Sequence, residues 1–172
     1  MNGAARCPMA DKEKSTAINT IVPKNWTREL AAAIAAALRE FHPQIGDTPI
    51  ALFEVGCAPW HGFVELSILT AEEMNADSAL KNPAEMAAWR FYNFATDLAA
   101  WGPAQILERQ MSKAYYADSD GDHSAIADAF FRACAAAAAT PEVVAAIGLL
   151  NRDARFRISV LHPDDKREFY PG

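Results

Sequence analysis

The stretch "IALFEVGCAPWHGFVELSIL", residues 50–69, decides the fold because two alternating apolar segments flank a turn. The apolar side chains recur at every second position, at Ala51, Phe53 and Val55 before the turn and at Val64, Leu66 and Ile68 after it. Such alternation is typical of strands that bury one face. The stretch therefore predicts an antiparallel hairpin of residues 49–56 and 63–70, joined by a turn of residues 57–62.

The register of this hairpin is predicted by requiring the two apolar faces to coincide. Phe53 is then expected opposite Leu66, because a slip by one residue would turn one apolar face toward the polar face of its partner. The same register places Glu54 directly across from Glu65 on the other face of the hairpin. Two carboxylates in direct cross-strand contact repel each other unless a cation lies beside them.

A third strand, predicted in "RFRISVL" at residues 155–161, supplies cations for that face. Its apolar residues alternate with Arg155, Arg157 and Ser159, so both arginines share the glutamate face if the strand joins the same sheet. The favoured interpretation is a solvated ion-pair network, in which each pair contributes roughly 0–1 kcal/mol. The alternative is a polar pocket, in which the carboxylates perform acid–base chemistry or the arginines hold an anionic ligand.

Helical periodicity dominates the remainder of the chain. Leu30, Ile34 and Leu38 recur at every fourth position and predict a first helix with a buried stripe. Residues 82–101 begin with Asn-Pro, which is a helix start signal, and predict another helix. Residues 143–150 are compatible with either a helix or a buried strand, because their periodicity does not distinguish the two.

These elements predict an α+β fold, with a small antiparallel sheet of three or four strands and helices packed on one face. Residues 1–24 lack apolar periodicity and are expected to form a flexible N-terminal arm. Residues 25–172 would then form a single α+β domain. The outer face of the sheet is expected to be polar, since it carries the glutamates and the arginines.

Charge and composition disfavour several classes of protein. The net charge of −6 and the pI near 5.2 disfavour nucleic-acid binding, since phosphate backbones select cationic surfaces. No apolar run has the length of a signal peptide or a membrane span, and the three cysteines are too scattered for a disulfide framework. We therefore expect a bacterial-type cytoplasmic protein that contacts neither nucleic acid nor membrane.

The sequence contains no established catalytic signature. The acidic loop "DSDGDHS", residues 118–124, lacks the spacing of a calcium-binding loop. Cys57 and His61 lack a second Cys or His pair at zinc spacing and a helix N-terminus that would activate the thiol. We therefore predict no catalytic residue, no metal and no cofactor. Whether the protein is an enzyme, and whether Cys57 and His61 are reactive, is left open by the sequence.

Two classes of function remain open. The favoured one is an accessory or regulatory domain that binds a protein or a ligand through the turn, with Trp60 and His61 at its tip. For Trp60 itself, burial over the hairpin or over the aromatic helix of residues 82–101 is favoured above an exposed tip, because tryptophan is highly buried on average. The second class is a small-molecule enzyme or ligand-binding domain with a site on the sheet face, formed by Glu54, Glu65, Arg155 and Arg157. The expected partner is thus a protein or a small anionic ligand.

Overall fold

The computed structural model describes residues 21–117 and 122–171 as an α+β fold. The α-helices are α1 (Trp26–Ile45), α2 (Ala71–Ala76), α3 (Gly102–Tyr115), α4 (His123–Ala138) and α5 (Pro141–Ile147). The strands are β1 (Ile50–Ala58), β2 (Phe63–Thr70) and β3 (Arg152–Ser159). Three short 3-10 helices lie between α2 and α3, at Ser78–Lys81, Pro83–Ala88 and Ala99–Trp101. The predicted arm and the acidic loop lie largely outside the described residues.

The three strands form one mixed sheet in the order β2-β1-β3. β1 pairs with β2 antiparallel, as the hairpin pattern predicts, but β1 pairs with β3 in parallel. The expectation of an entirely antiparallel sheet is therefore wrong for the third strand. A parallel pair requires a long crossover connection, and the helices between β2 and β3 provide it.

The hairpin register differs from the predicted one by two residues. Phe53 lies opposite Ile68. Because β1 extends to Ala58, the turn comprises only residues 59–62. The N–H of Gly62 donates to the carbonyl of Ala58 at 2.8 Å, and its φ of 69° favours glycine, so the shorter turn closes without strain. The predicted faces are nevertheless correct from Leu52 onward, because a shift of two residues keeps each side chain on its face, whereas a bulge between Ile50 and Leu52 interrupts the alternation at the start of β1.

The main core lies between one face of the sheet and the longer helices. The side chains of Leu30, Ile34 and Leu38 are fully buried, which confirms the stripe predicted for α1. α4 packs on β1, and α1 packs on both α4 and α5. Residues 143–150, whose periodicity was compatible with a helix or a strand, begin as a helix: residues 143–147 belong to α5, which ends at Ile147.

The second face of the sheet is covered by residues 71–94, here called the cover segment. The predicted helix at residues 82–101 is absent, and a 3-10 helix at Pro83–Ala88 followed by irregular backbone takes its place. This backbone bonds to the edge of β2, where the N–H of Ile68 donates to the carbonyl of Phe91 at 3.1 Å. Pairing with the strand competes with helical hydrogen bonds, so tertiary contacts override the local start signal.

A second apolar cluster fills the space between the cover segment and the sheet. Its buried members are Leu52, Leu69 and Trp89, and Met74, Leu80 and Met86 pack against them. The indole N–H of Trp89 donates to the carbonyl of Leu80 at 3.0 Å and so connects two parts of the cover segment that are nine residues apart. The expectation of a solvated outer sheet face is therefore wrong. The part of this face that carries Glu54 and Glu65 is buried beneath the cover segment and the chain after β3.

Candidate functional site

The two glutamates predicted on the sheet face are both buried, with 1% of Glu54 and 5% of Glu65 exposed. Glu54 lies opposite Ser67 on β2 and opposite Ser159 on β3. Glu65 lies opposite Gly56. The predicted direct contact between the glutamates is therefore wrong, and the register shift makes them diagonal neighbours on one face. Their burial also contradicts the interpretation as a solvated ion-pair network.

Glu54 joins β1 to the chain that follows β3. Its Oε1 accepts a hydrogen bond from the N–H of Leu161 at 2.9 Å. Its Oε2 is buried and has no hydrogen-bond partner among the described residues. Burial raises the pKa of Glu54 to about 7, although the Ser159 hydroxyl and the Leu161 N–H lower it in part. Glu54 therefore gains or loses its proton near neutral pH.

Glu65 has one occupied and one free carboxyl oxygen. Its Oε2 accepts a hydrogen bond from the hydroxyl of Tyr92 at 2.7 Å. Burial raises the pKa of Glu65, and the hydrogen bond from Tyr92 opposes this shift. The same hydrogen bond raises the pKa of Tyr92 to about 12, so Tyr92 remains the donor at neutral pH. Oε1 of Glu65 receives no hydrogen bond from any described residue, which leaves an acceptor for a ligand.

Gly56 provides the space in which the Glu65 side chain lies. A Cβ atom at Gly56 would approach Cγ of Glu65 to 2.6 Å and Cε of Met86 to 3.0 Å. Real side chains essentially never come so close, so any larger residue at this position would displace the carboxyl group. A glycine inside a strand often marks such a close approach. The position of the Glu65 carboxyl group therefore depends on Gly56.

A pocket of about 260 Å³, here called the hairpin pocket, opens beside Glu65. The turn forms one wall, Met86 of the cover segment forms another, and the chain after β3 forms a third. Its lining includes the aromatic rings of Trp60, His61 and Phe63, the carboxyl groups of Glu65 and Asp164, and the apolar groups of Met86, Leu161 and Pro163. Three segments that are distant in sequence therefore converge on one buried carboxyl group.

The two residues predicted at the turn tip both line the hairpin pocket, but their environments differ. Trp60 is half-buried, with its ring centroid 5.7 Å from that of His162 and 6.3 Å from that of Phe131. The carbonyl of Trp60 also accepts a hydrogen bond from Tyr116 at 2.6 Å. His61 is exposed. Of these two residues, only His61 is exposed at the tip of the turn. That either residue contacts a partner stays a prediction.

Replacing Trp60 with alanine is expected to lower the free energy of unfolding by about 1–3 kcal/mol. This is less than the roughly 3–5 kcal/mol of a fully buried tryptophan, and more than the roughly 0.5 kcal/mol of an exposed residue. Urea unfolding measures the difference. His61→Ala is the matched control in the same turn, because its exposed side chain should change stability by no more than about 0.5 kcal/mol. Equal effects of the two substitutions would contradict the packing of Trp60.

The two predicted arginines do not join the glutamates. Arg155 binds Asp153, with Nε 2.7 Å from Oδ1, and Asn75, with Nη1 3.0 Å from Oδ1. Arg157 donates to the carbonyl of Lys81 at 3.0 Å, and its Nη1 lies 4.0 Å from Glu168 Oε2. Both side chains are exposed at the edge strand. The register places Arg157 opposite Leu52, on the face of Glu54 as predicted, and its charge lowers the pKa of Glu54 in part. The predicted direct ion pairs are absent among the described residues, since neither arginine bridges to Glu54 or Glu65.

Cys57 lines the hairpin pocket, yet its thiol is directed into the core. The residue is only 4% exposed, and its Sγ lies 3.8 Å from Sδ of Met111. Burial raises the pKa of Cys57, and the neighbouring thiol of Cys134 raises it further. A thiol that remains protonated is a weak nucleophile. Nucleophilic catalysis by Cys57 with His61 as its base is therefore disfavoured.

Several residues that line the hairpin pocket or contact its Glu65 carboxyl group were missed by sequence reasoning. Tyr92 and Met86 lie on the cover segment, and Asp164 follows β3, so no local pattern connects them to the turn. Gly56 did carry a signal, because a glycine inside an alternating strand pattern indicates a close approach of another chain segment.

Residues 21–117 and 122–171 contain no group of three or more His, Cys, Asp or Glu side chains arranged to hold a metal ion. None of their single helices has the length and hydropathy to cross a membrane. α4 and α5 reach those values only together, and they are bent by 62° where they meet.

Comparisons with known proteins returned no match, whether to a family model, to a curated protein or to a solved structure.

Proposed function

We propose that this protein is a binding domain of accessory or regulatory type, and that its hairpin pocket takes a small organic cation such as a primary amine. One observation carries the proposal: Glu65 is buried, and its Oε1 has no donor among the described residues although the group lines a pocket. Oε1 is not among the fully buried oxygens, so it can be reached from the pocket, where a bound charged donor would form a charge-assisted hydrogen bond with it. An ammonium group supplies both a donor and a compensating charge.

The lining of the pocket supports a cation over an anion. It contains the carboxyl groups of Glu65 and Asp164 and no lysine or arginine. The rings of Trp60 and Phe63 add faces that attract a cation through their quadrupoles. The volume of about 260 Å³ lies just below the usual range of drug-sized pockets, which favours a small ligand. The anionic ligand expected from the two arginines has no support at this site.

Protonation of Glu65 links binding to pH. Its pKa is raised by burial, so at acidic pH an amine must displace the proton of Glu65 in order to bind. An ammonium ion next to the carboxylate favours the ionised form and lowers that pKa again. Amine affinity is therefore expected to increase from acidic to neutral pH, and binding should release protons into the buffer.

Calorimetric titration with benzylamine, and with benzyl alcohol as its neutral counterpart, tests this function. Benzylamine should bind the native protein, and Glu65→Gln should weaken the binding by about tenfold or more, the loss expected when a charge-assisted hydrogen bond is removed. Glu85→Gln is the matched control, since it removes the same charge from an exposed position outside the pocket. Equal binding of the amine and the alcohol, or unchanged binding to Glu65→Gln, would contradict the proposal.

A further inference from the structure

A second concave site lies among the helices, and the proposed amine site does not use it. It is a groove of about 1020 Å³, here called the helix groove, between the start of α1, the middle of α4 and the start of α5. It shares no lining residue with the hairpin pocket. Its floor and its rim differ sharply in chemistry.

The floor of the helix groove is apolar and built from small side chains. Ala31 of α1 faces Ala129 and Ala133 of α4, which lie four residues apart and so share one helix face. All three are buried. Val22 and Pro23 form one wall and Pro141 forms part of the other. Short side chains in the floor and a volume of about 1020 Å³ leave room for an aliphatic chain above them.

The rim of the helix groove is cationic although the whole protein carries a net charge of −6. Lys24 and Arg28 line it, are exposed, and form no ion pair with any described residue. Arg132 is a third cation of the rim; its ion-pair partner Asp128 also binds the guanidinium of Arg167 at 2.6 Å. Positive charge at the rim therefore remains available to a ligand.

The single carboxylate in the lining does not cancel this charge. Glu142 lies 3.9 Å from the guanidinium of Arg39, which offsets its negative charge. The first turn of α1 adds to the positive potential, because its N-cap residue Asn25 forms no side-chain capping bond. The helix groove thus combines an apolar floor with a cationic rim.

We propose that the helix groove binds an amphipathic monoanion, an aliphatic carboxylate whose head group contacts Lys24 and Arg28. Its hydrocarbon chain lies along the alanine floor between α1 and α4. The head group gains charge-assisted hydrogen bonds, and the chain gains burial of apolar surface. The sequence led us to expect a small anionic ligand at Arg155 and Arg157 on β3. In this proposal the cations that bind an anion are instead Lys24 and Arg28 at the start of α1.

Calorimetric titration of the full chain with decanoate tests the proposal, with decanol and acetate as probes that carry only the chain or only the head group. Decanoate should bind with a dissociation constant below about 1 mM, and each partial probe should bind about tenfold more weakly or worse. The double substitution of Lys24→Gln and Arg28→Gln should raise the dissociation constant of decanoate about tenfold.

The matched control is the double substitution of Arg109→Gln and Lys113→Gln, which removes the same charge from exposed positions on α3 outside the groove. It should leave decanoate binding unchanged, and thermal unfolding should show that both double variants are folded. Three results would overturn the proposal: no saturable binding of decanoate, equal binding of decanol or acetate, or equal effects of the two double variants. None of them bears on benzylamine binding in the hairpin pocket.

Discussion

Replacing Trp26 with alanine is expected to lower the free energy of unfolding by about 3–5 kcal/mol, the usual cost of truncating a buried tryptophan. Trp26 opens α1 and is only 1% exposed. Its ring packs edge-on against Phe130 of α4, with the centroids 5.2 Å apart, and its indole N–H donates to the carbonyl of Leu107 on α3 at 3.0 Å. One side chain therefore connects three helices, and urea unfolding measures its contribution.

The substitution Trp26→Phe separates packing from hydrogen bonding at this position. Phenylalanine retains an aromatic ring against Phe130 but cannot donate to Leu107, so it should cost about 1–3 kcal/mol and less than alanine. A loss below about 1 kcal/mol for Trp26→Ala would show that the start of α1 is not part of the cooperative core.

Wild-type stability is expected to decrease by about 3 kcal/mol between pH 4.5 and 7 because of Glu54, whose pKa rises from 4.5 to about 7 on burial. In this window the folded state retains the Glu54 proton that the unfolded state has released. Stability therefore falls as the pH rises, and the contribution becomes constant above the folded-state pKa. The variant Glu54→Gln cannot ionise, so at pH 8 it should be more stable than the wild type by a comparable amount.

Urea unfolding at several pH values measures this linkage. Glu65 is buried as well, and its pKa is raised, so some dependence of the same sign should persist in Glu54→Gln. Glu72→Gln is the control, because Glu72 is exposed and its removal should leave the wild-type profile nearly intact. A Glu54→Gln profile parallel to that of the wild type would show that Glu54 is ionised in the folded protein at neutral pH.

Local periodicity was sufficient to determine which face of each early element packs against the main core. The alternation around Phe53 and Leu66 predicted both strands of the hairpin, and the stripe through Ile34 predicted the buried face of α1. Part of the candidate site followed from the same reasoning, since Glu54 and Glu65 were placed on one face. This information is local, because hydrophobic periodicity along a short segment reflects the solvent exposure of that segment alone.

Only the tertiary structure decided what each face packs against. The shift of two residues that places Glu54 opposite Ser67 leaves the alternation unchanged, so the sequence pattern could not distinguish the two registers. The cover segment at residues 71–94 contains a helix start signal at residues 82–83 and yet pairs with β2. This segment helps to bury the glutamates and forms one wall of the hairpin pocket. Register, strand direction and the covering of a polar face depend on contacts between distant residues. The free energy of those contacts exceeds local propensity, which is why they become visible only in the folded chain.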